Sequence, residues 1–413
     1  MKFKYKKIWH HCFYILIILI TLFVIAILAK KIFKPFSTFI IPSSQPSQVV
    51  ETKEPVIADI FFSNEPNDSN PQMTSAEFSQ LIIKEIDQAE KTLEIAMYSF
   101  KSSALKEAVY RAANRGVNVT LILDLRKSKI HDKIFTDLPS NIKRLDLGFD
   151  GFDQTALMHH KFAIIDRETL KEKLIFGSFN WTDLQAVYDR SFVLITGNHE
   201  IITSFGREFE RLARGEGEKN KLNNKNYYPW DLSLKANGYS YEVWFGPGWS
   251  SNSFNNRIIS LLQGAKNNIK IMIWDFTDTY LAEEILHQAR AGIKITILAD
   301  NFNFYSSSSV FQLLNKTKTE ENLTNLEILN DHTLNTPLIA TTSATIKEES
   351  LDPFLHHHIL IIDDQKILFG TNNWSKGGAY SNDESVMVSN DPKILEKFLA
   401  SFYYNYQIIK DSL

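Results

Sequence analysis

Met158-His159-His160-Lys161-Phe162-Ala163-Ile164-Ile165-Asp166 decides how the rest of this chain is read. As a β-strand its alternate side chains point the same way, so His159 and Lys161 share one face and His160 turns to the other. Phe162 to Ile165 is an apolar run suited to a buried strand, and Asp166 closes it. A second strand, Leu174 to Phe176, leads into the polar turn Gly177-Ser178-Phe179-Asn180-Trp181-Thr182. A nucleophile or base, a cation and a carboxylate on one rigid strand suit a phosphate site better than a core. The pattern then returns as His356-His357-His358-Ile359-Leu360-Ile361-Ile362-Asp363, followed by Gly370-Thr371-Asn372-Asn373-Trp374-Ser375.

These residues resemble the phospholipase D superfamily, whose signature is H-x-K-x4-D followed by G-S-x-N. The first copy matches it in full through His159, Lys161, Asp166, Gly177, Ser178 and Asn180. Its wording is similar to the mitochondrial phospholipase D and bacterial nuclease branch. The second copy departs from the pattern: His358 stands in place of lysine and Thr371 in place of serine, while His356, Asp363 and Asn373 stay. The resemblance implies two α/β domains related by a pseudo-twofold axis. Each would be a mixed sheet flanked by helices, and His159 and His356 would meet across one cleft. It also implies two-step phosphodiester chemistry without metal or other cofactor.

The chain outside the motifs repeats in the same way. Ile271 to Asp300 aligns with Ile95 to Asp124 without a gap at an offset of 176, pairing Phe100 with Phe276, Gly116 with Gly292 and Asp124 with Asp300. At the motif histidines the offset is 197, so the second half carries 21 extra residues, placed between about Phe302 and Ser350. An insertion that long reads equally as a loose surface loop or a lid. In the first half the spacing predicts strand Val56 to Phe62, a capping box at Thr74 and Glu77 opening a helix, and strand Leu93 to Tyr98. A helix from Ala104 to Asn114 stopped by Gly116 and strand Val117 to Leu123 follow. Strands alternating with helices mean a sheet covered on both faces. Each half closes on a helix, Glu200 to Leu212 and Pro392 to Tyr404.

Cys12 to Ala29 is an apolar run of 18 residues, broken only by Tyr14 and Thr21. As a helix it would span about 27 Å, close to the hydrocarbon thickness, and it reads as a single-pass anchor. Lys2, Lys4, Lys6 and Lys7 precede it and Lys30, Lys31 and Lys34 follow, which gives a small preference for a catalytic part outside the cytoplasm. The expected organisation is therefore an anchor over 1–34 and a Pro/Ser-rich linker over 35–55. The first domain then covers 56–213, a connector 214–240 and the second domain 241–413. A net charge of −3 in 413 residues advertises no basic field for nucleic acid. The lone cysteine, Cys12, lies in the apolar run, which leaves the remainder without disulfides or thiol metal sites.

A phosphodiester repels nucleophiles and gains charge in the transition state, so fixed donors must stabilise it. Lys161, Asn180, Asn373, Ser178 and Thr371 suit that work. His159, from the intact copy, is taken as the nucleophile and His356 as general acid and base; the reverse remains open. Asp166 and Asp363 are expected to hydrogen-bond histidine and fix its tautomer. His358 either stays protonated beside phosphate and carboxylates, which predicts activity falling as pH rises through neutrality, or the site has lost a clamp. Allowing a one-residue gap, Asn382-x-Glu384 faces Tyr188-x-Arg190, and Glu384 becomes a candidate to orient a histidine. Alternation leaves only two of His356, His357 and His358 on one face, too few for zinc. Trp181 and Trp374 read as core anchors. Three functions follow: a membrane-anchored phospholipase D acting on, or transferring, phospholipid head groups; a metal-independent nuclease; or a scaffold whose second half-site has decayed. No obligate protein partner is evident. Cardiolipin synthases carry two membrane spans and two intact motifs, unlike this chain.

Overall fold

The computed structural model describes residues 48–53, 56, 58–65, 73, 75–148, 156–216, 230–248, 254–333 and 355–413. The predicted anchor over 1–34, Thr74 and residues 334–350 of the polar stretch lie outside them. Among the described residues no helix is long and apolar enough to cross a membrane.

Among the described residues sixteen strands form two sheets. In chain order they are β1 (Gln48–Thr52), β2 (Ala58–Phe62), β3 (Thr92–Met97), β4 (Asn118–Asp124), β5 (Ile142–Leu147), β6 (Lys161–Ile165), β7 (Lys173–Gly177) and β8 (Phe192–Thr196). The second set is β9 (Trp230–Ala236), β10 (Tyr239–Phe245), β11 (Asn268–Ile273), β12 (Lys294–Asp300), β13 (Leu326–Asp331), β14 (His358–Ile362), β15 (Lys366–Gly370) and β16 (Ser385–Ser389). One sheet runs β2-β8-β7-β6-β3-β4-β5 and the other β1-β9-β10-β16-β15-β14-β11-β12-β13. From β10 onward the second order repeats the first, strand for strand. Each sheet is mixed: β3, β4 and β5 pair in parallel, whereas β6, β7 and β8 pair antiparallel, and β11 to β16 do the same.

The motif strands β6 and β14 sit in mid-sheet with every residue buried, which is why they read as unbroken apolar runs. The helices follow their caps. Ser103–Asn114 starts on Ser102, whose hydroxyl accepts from Leu105 N–H, and ends before Gly116 at φ 93°, a conformation that costs glycine little. Thr279–Arg290 starts on Asp278 and ends before Gly292 at φ 89°. The closing helices are His199–Ala213 and Pro392–Asp411, the latter longer than expected.

Two boundaries differ from the sequence reading. Gln48–Thr52, taken as linker, is a strand pairing in parallel with β9. The connector over 214–240 contains β9 and the start of a hairpin whose turn is Asn237-Gly238, both at positive φ. That dipeptide is the residue pair a type I′ hairpin turn requires. The insertion is also divided. Val119 pairs with Ile142 whereas Ile295 pairs with Leu326, so eight of the 21 extra residues lie between β12 and β13, where the helix Phe311–Glu320 forms. The rest precede His356.

Residues Ser44–Leu413 form one compact unit. The outer faces of the two sheets bury separate apolar clusters under their own helices, one around Phe78, Phe100 and Trp181, the other around Phe254, Phe276 and Trp374. The inner faces share a single cluster. Phe192 meets Phe369 at 5.7 Å and Phe398 at 5.1 Å between ring centroids, edge to face, so the halves interlock through aromatic rings.

A candidate active site across the two halves

Each motif histidine enters its strand from a segment held by the other half. Met158 bridges Asp383 and Leu355 bridges Arg190. His159 N–H donates to the Asp383 carbonyl at 2.9 Å, and His356 N–H to the Arg190 carbonyl at 2.9 Å. The reciprocity extends to the turns: His159 lies against the backbone of Thr371, and His356 against that of Ser178. This is the two-fold relation expected of the repeat, and it brings His159 and His356 together, with Lys161 and His159 both acting electrostatically on His356.

The turns permit this approach because they carry glycine. A Cβ on Gly177 would fall 2.1 Å from the Phe192 carbonyl oxygen, and one on Gly370 2.2 Å from that of Ser385. No other residue fits at either position. Asp124 and Asp300, matched in the repeat but given no role there, fix the motif entries. Asp124 accepts from Met158 N–H at 2.9 Å and Asp300 from Leu355 N–H at 3.0 Å. Burial pushes their carboxyls up, to about 6 and about 7 respectively.

His159 is held on both ring nitrogens. Nδ1 lies 2.9 Å from both carboxylate oxygens of Glu384, and Nε2 lies 3.0 Å from Lys161 Nζ, which also donates to the His159 carbonyl at 3.0 Å. With a carboxylate on Nδ1 and an ammonium on Nε2, the proton belongs on Nδ1 and the lone pair on Nε2. Glu384 is itself fixed by Thr371 Oγ1 at 2.5 Å and Asn382 Nδ2 at 3.0 Å. Burial pushes Glu384 up to about 7 against the pull of Lys161, and pushes Lys161 down to about 7 against the pull of Glu384 and Asp124. Burial, then Lys161 and His160, hold the His159 imidazole well below its ordinary value. Tyr98 covers it edge-on at 4.7 Å.

The second half-site is built differently. Nδ1 of His356 has no hydrogen-bond partner, and neither ring nitrogen of His358 has one. The two rings lie 5.2 Å apart, and Trp274 stands 5.4 Å from His356 in the position Tyr98 takes beside His159. Burial, then His356, Lys161 and His159, keep His358 well below its ordinary value. A protonated His358 is therefore not the state this environment favours, and the second lysine clamp is lost.

Several expected roles change. Asp166 and Asp363 touch no histidine. Asp166, at φ 48°, accepts from the backbone N–H groups of Glu90, Lys91 and Thr92, and Asp363, at φ 53°, from those of Lys266, Asn267 and Asn268. They lie at the far end of strands whose near ends carry the histidines, so about 15 Å of strand separates them from the chemistry. Glu384 does the orienting, from the other half of the chain. Nor is there a one-residue gap after the tryptophans. Ser178 N–H bonds the Phe192 carbonyl as Thr371 N–H bonds that of Ser385, which sets Glu384 opposite Ser191 and Asp383 opposite Arg190. The hydroxyls of Ser178 and Thr371 are engaged, Ser178 accepting from Phe192 N–H at 3.1 Å and Thr371 donating to Glu384. Asn180 and Asn373 are buried with unpartnered side-chain oxygens. Trp181 and Trp374 are buried against Phe100 and Phe276.

The middle histidines are core residues. His160 bonds Ser385 Oγ at 2.5 Å and Glu208 at 3.0 Å; His357 bonds Glu65 at 2.8 Å, which Ser401 and Asn405 also hold. Among the described residues, His160, Glu208 and Asp383 have potential ligand atoms within 4.8 Å of one another. Both nitrogens of His160 are already hydrogen-bonded there, which fits a polar core network. Sequence spacing gave no signal for Glu65 or Glu208, because each reaches its histidine only through the fold.

The family described as "Cardiolipin synthase, PLD-like domain" matches residues 82–213 and 258–405, one stretch in each half. Mitochondrial cardiolipin hydrolase of Canis lupus familiaris is 35% identical over 140 residues, covering 30% of this chain and 46% of that protein. The Mus musculus protein of the same name is 35% identical over 140 residues, covering 30% and 52%. The chain thus spans about half the length of the curated relatives it matches. Phosphatidylserine synthase from Haemophilus influenzae shares the fold, with a TM-score of 0.59 at 16% identity over 86% of this chain and 87% of that one. With the repeated sheets, the reciprocal histidines and a match in each half, the chain belongs to the phospholipase D superfamily as a tandem protein of two PLD-like domains.

Proposed function

We propose that this protein is a phosphodiesterase that cleaves phospholipids on the head-group side through a phosphohistidine on His159. The observation that carries the reading is the line Glu384–His159–Lys161. It leaves Nε2 with a lone pair and puts a cation beside the place a phosphate oxygen would take. An entering phosphate would draw Lys161 off His159 and onto its own oxygen, freeing Nε2 to attack. His356 then faces the opposite side of phosphorus, where the leaving oxygen and later the attacking water pass. Asn180 and Asn373 add amide donors for the charge that develops.

The lipid substrate is supported by the similarity to proteins named cardiolipin hydrolase and by the apolar Cys12 to Ala29 run, which would hold the cleft beside a bilayer. The lysines flanking that run give slight support to a catalytic part outside the cytoplasm. The full chain in detergent, with chelator present, is assayed on vesicles of phosphatidylcholine and cardiolipin and on single-stranded DNA, with His159→Ala as the blank. Lipid turnover that vanishes in the blank is expected. Turnover of DNA alone would replace this reading with a nuclease, and no turnover of any substrate would leave the scaffold.

A further inference from the structure

Glu384 and Ser191 occupy equivalent places in the two halves, and they differ in what they can do for a histidine. Glu384 reaches Nδ1 of His159. Ser191 is fully buried, its hydroxyl has no hydrogen-bond partner, and neither has Nδ1 of His356. A serine side chain ends two atoms short of where the carboxylate sits. The same half-site has His358 in the position of Lys161, again with no partner on either nitrogen. Apart from the Ser178 backbone, nothing raises the proton affinity of His356: it lacks both the anion that would do so and the fixed cation that would steady the departing oxygen.

We propose that the second half-site is a weak proton donor, and that the enzyme selects phosphodiesters whose leaving oxygen departs as a weak base, with Ser191 as the position that sets this preference. The inference rests on the proposed function, in that it takes His159 as the nucleophile, and it specifies which bond that nucleophile can break. In the first step the His159 Nε2 lone pair forms the P–N bond while the P–O bond breaks and its electron pair leaves with oxygen. An alkoxide needs a proton at that moment. A phosphate oxygen, as in a phosphoanhydride, or a phenolate leaves as the anion and needs none. In the second step a water oxygen attacks phosphorus, its proton passes to His356, and the P–N pair returns to His159. A neutral His356 is the form required there, and burial with Lys161 and His159 nearby keeps it neutral. The pairing is therefore good for the second step and poor for the first. Simple alkyl head groups become slow substrates, and lipids joined through a second phosphate become fast ones.

The test uses the full chain and reads leaving-group dependence. Aryl phosphodiesters of graded phenol acidity are compared with a dialkyl diester, and a pyrophosphate-linked lipid with an alkyl-linked one. A positioned general acid contributes about 10²–10⁴-fold, so turnover should fall by at least about 100-fold from the most acidic phenol to the alkyl ester. The pyrophosphate-linked lipid should exceed the alkyl-linked one by at least about tenfold, a tenth of that lower bound. Ser191→Glu should raise alkyl turnover more than aryl turnover and flatten the series. Ser191→Asp, with melting temperatures for both, covers the case in which the longer side chain is not accommodated. A flat series in the wild-type protein, or a folded Ser191→Glu protein with the wild-type slope, overturns the inference while leaving phosphodiesterase activity in place. Absence of any diester turnover would remove the proposed function as well.

Discussion

His159 is the residue at which the sequence and the fold meet. Its two nitrogens carry opposite charges as neighbours, and that contrast sets its tautomer. Glu384→Gln keeps the shape but removes the anion, and should lower kcat/KM by about 10²-fold or more with little change in melting temperature. An unchanged kcat/KM would remove Glu384 from its orienting role. The pH profile follows from the same pair. The Glu384 carboxylate is lost as pH falls through about 7, and the Lys161 cation is lost as pH rises through about 7. The free enzyme should therefore show a bell centred near neutrality, with the two limbs belonging to the coupled pair. Lys161→Arg keeps its charge and should extend the alkaline limb; an alkaline limb unmoved by that change would assign it elsewhere. His159, Lys161 and His356 were legible in sequence because their spacing is local. Glu384 was only a candidate there, since its partner lies 225 positions away.

Strand ends explain the parts of the signature that do no chemistry. Asp166 and Asp363 sit at positive φ where β6 and β14 end, and each gathers three backbone N–H groups of the neighbouring loop. Asp166→Ala should cost about 2–4 kcal/mol of stability by orphaning those donors, while kcat/KM of the remaining folded protein changes by less than about fivefold. A loss of activity in a fully folded variant would return Asp166 to the catalytic set. Motif spacing identified this aspartate correctly and misread its work, because a strand of five residues carries its two ends to different places. The hairpin over β9 and β10 was hidden by composition: a polar connector was expected, yet Asn237-Gly238 between two stretches of alternating apolar and polar residues already contained its turn. Gln48–Thr52 could not be read as a strand alone, because its partner β9 is nearly two hundred residues away.

Over Ser44–Leu413 the two halves pack into one compact unit with a shared inner core. Phe369 of the second half packs against Phe176 and Phe192 of the first. Phe369→Ala should cost about 3–5 kcal/mol and lower a single unfolding transition. Two separated transitions would mean that the halves unfold independently. The two-sheet plan was legible because the offset of 176 repeats over thirty residues without a gap. The asymmetry of the shared site was legible at His358, Thr371 and Glu384. The Ser191 position emerged from register, since hydrogen bonds rather than residue identity align it with Glu384. On the proposed mechanism one half supplies the nucleophile and the other half orients it. Rapid quenching of the full chain with labelled substrate, followed by mass spectrometry of its peptides, tests this directly. The phosphoryl group should be found on His159 in the wild type and be lost in Glu384→Gln. Label on His356, or label on His159 undiminished without the Glu384 carboxylate, would contradict it.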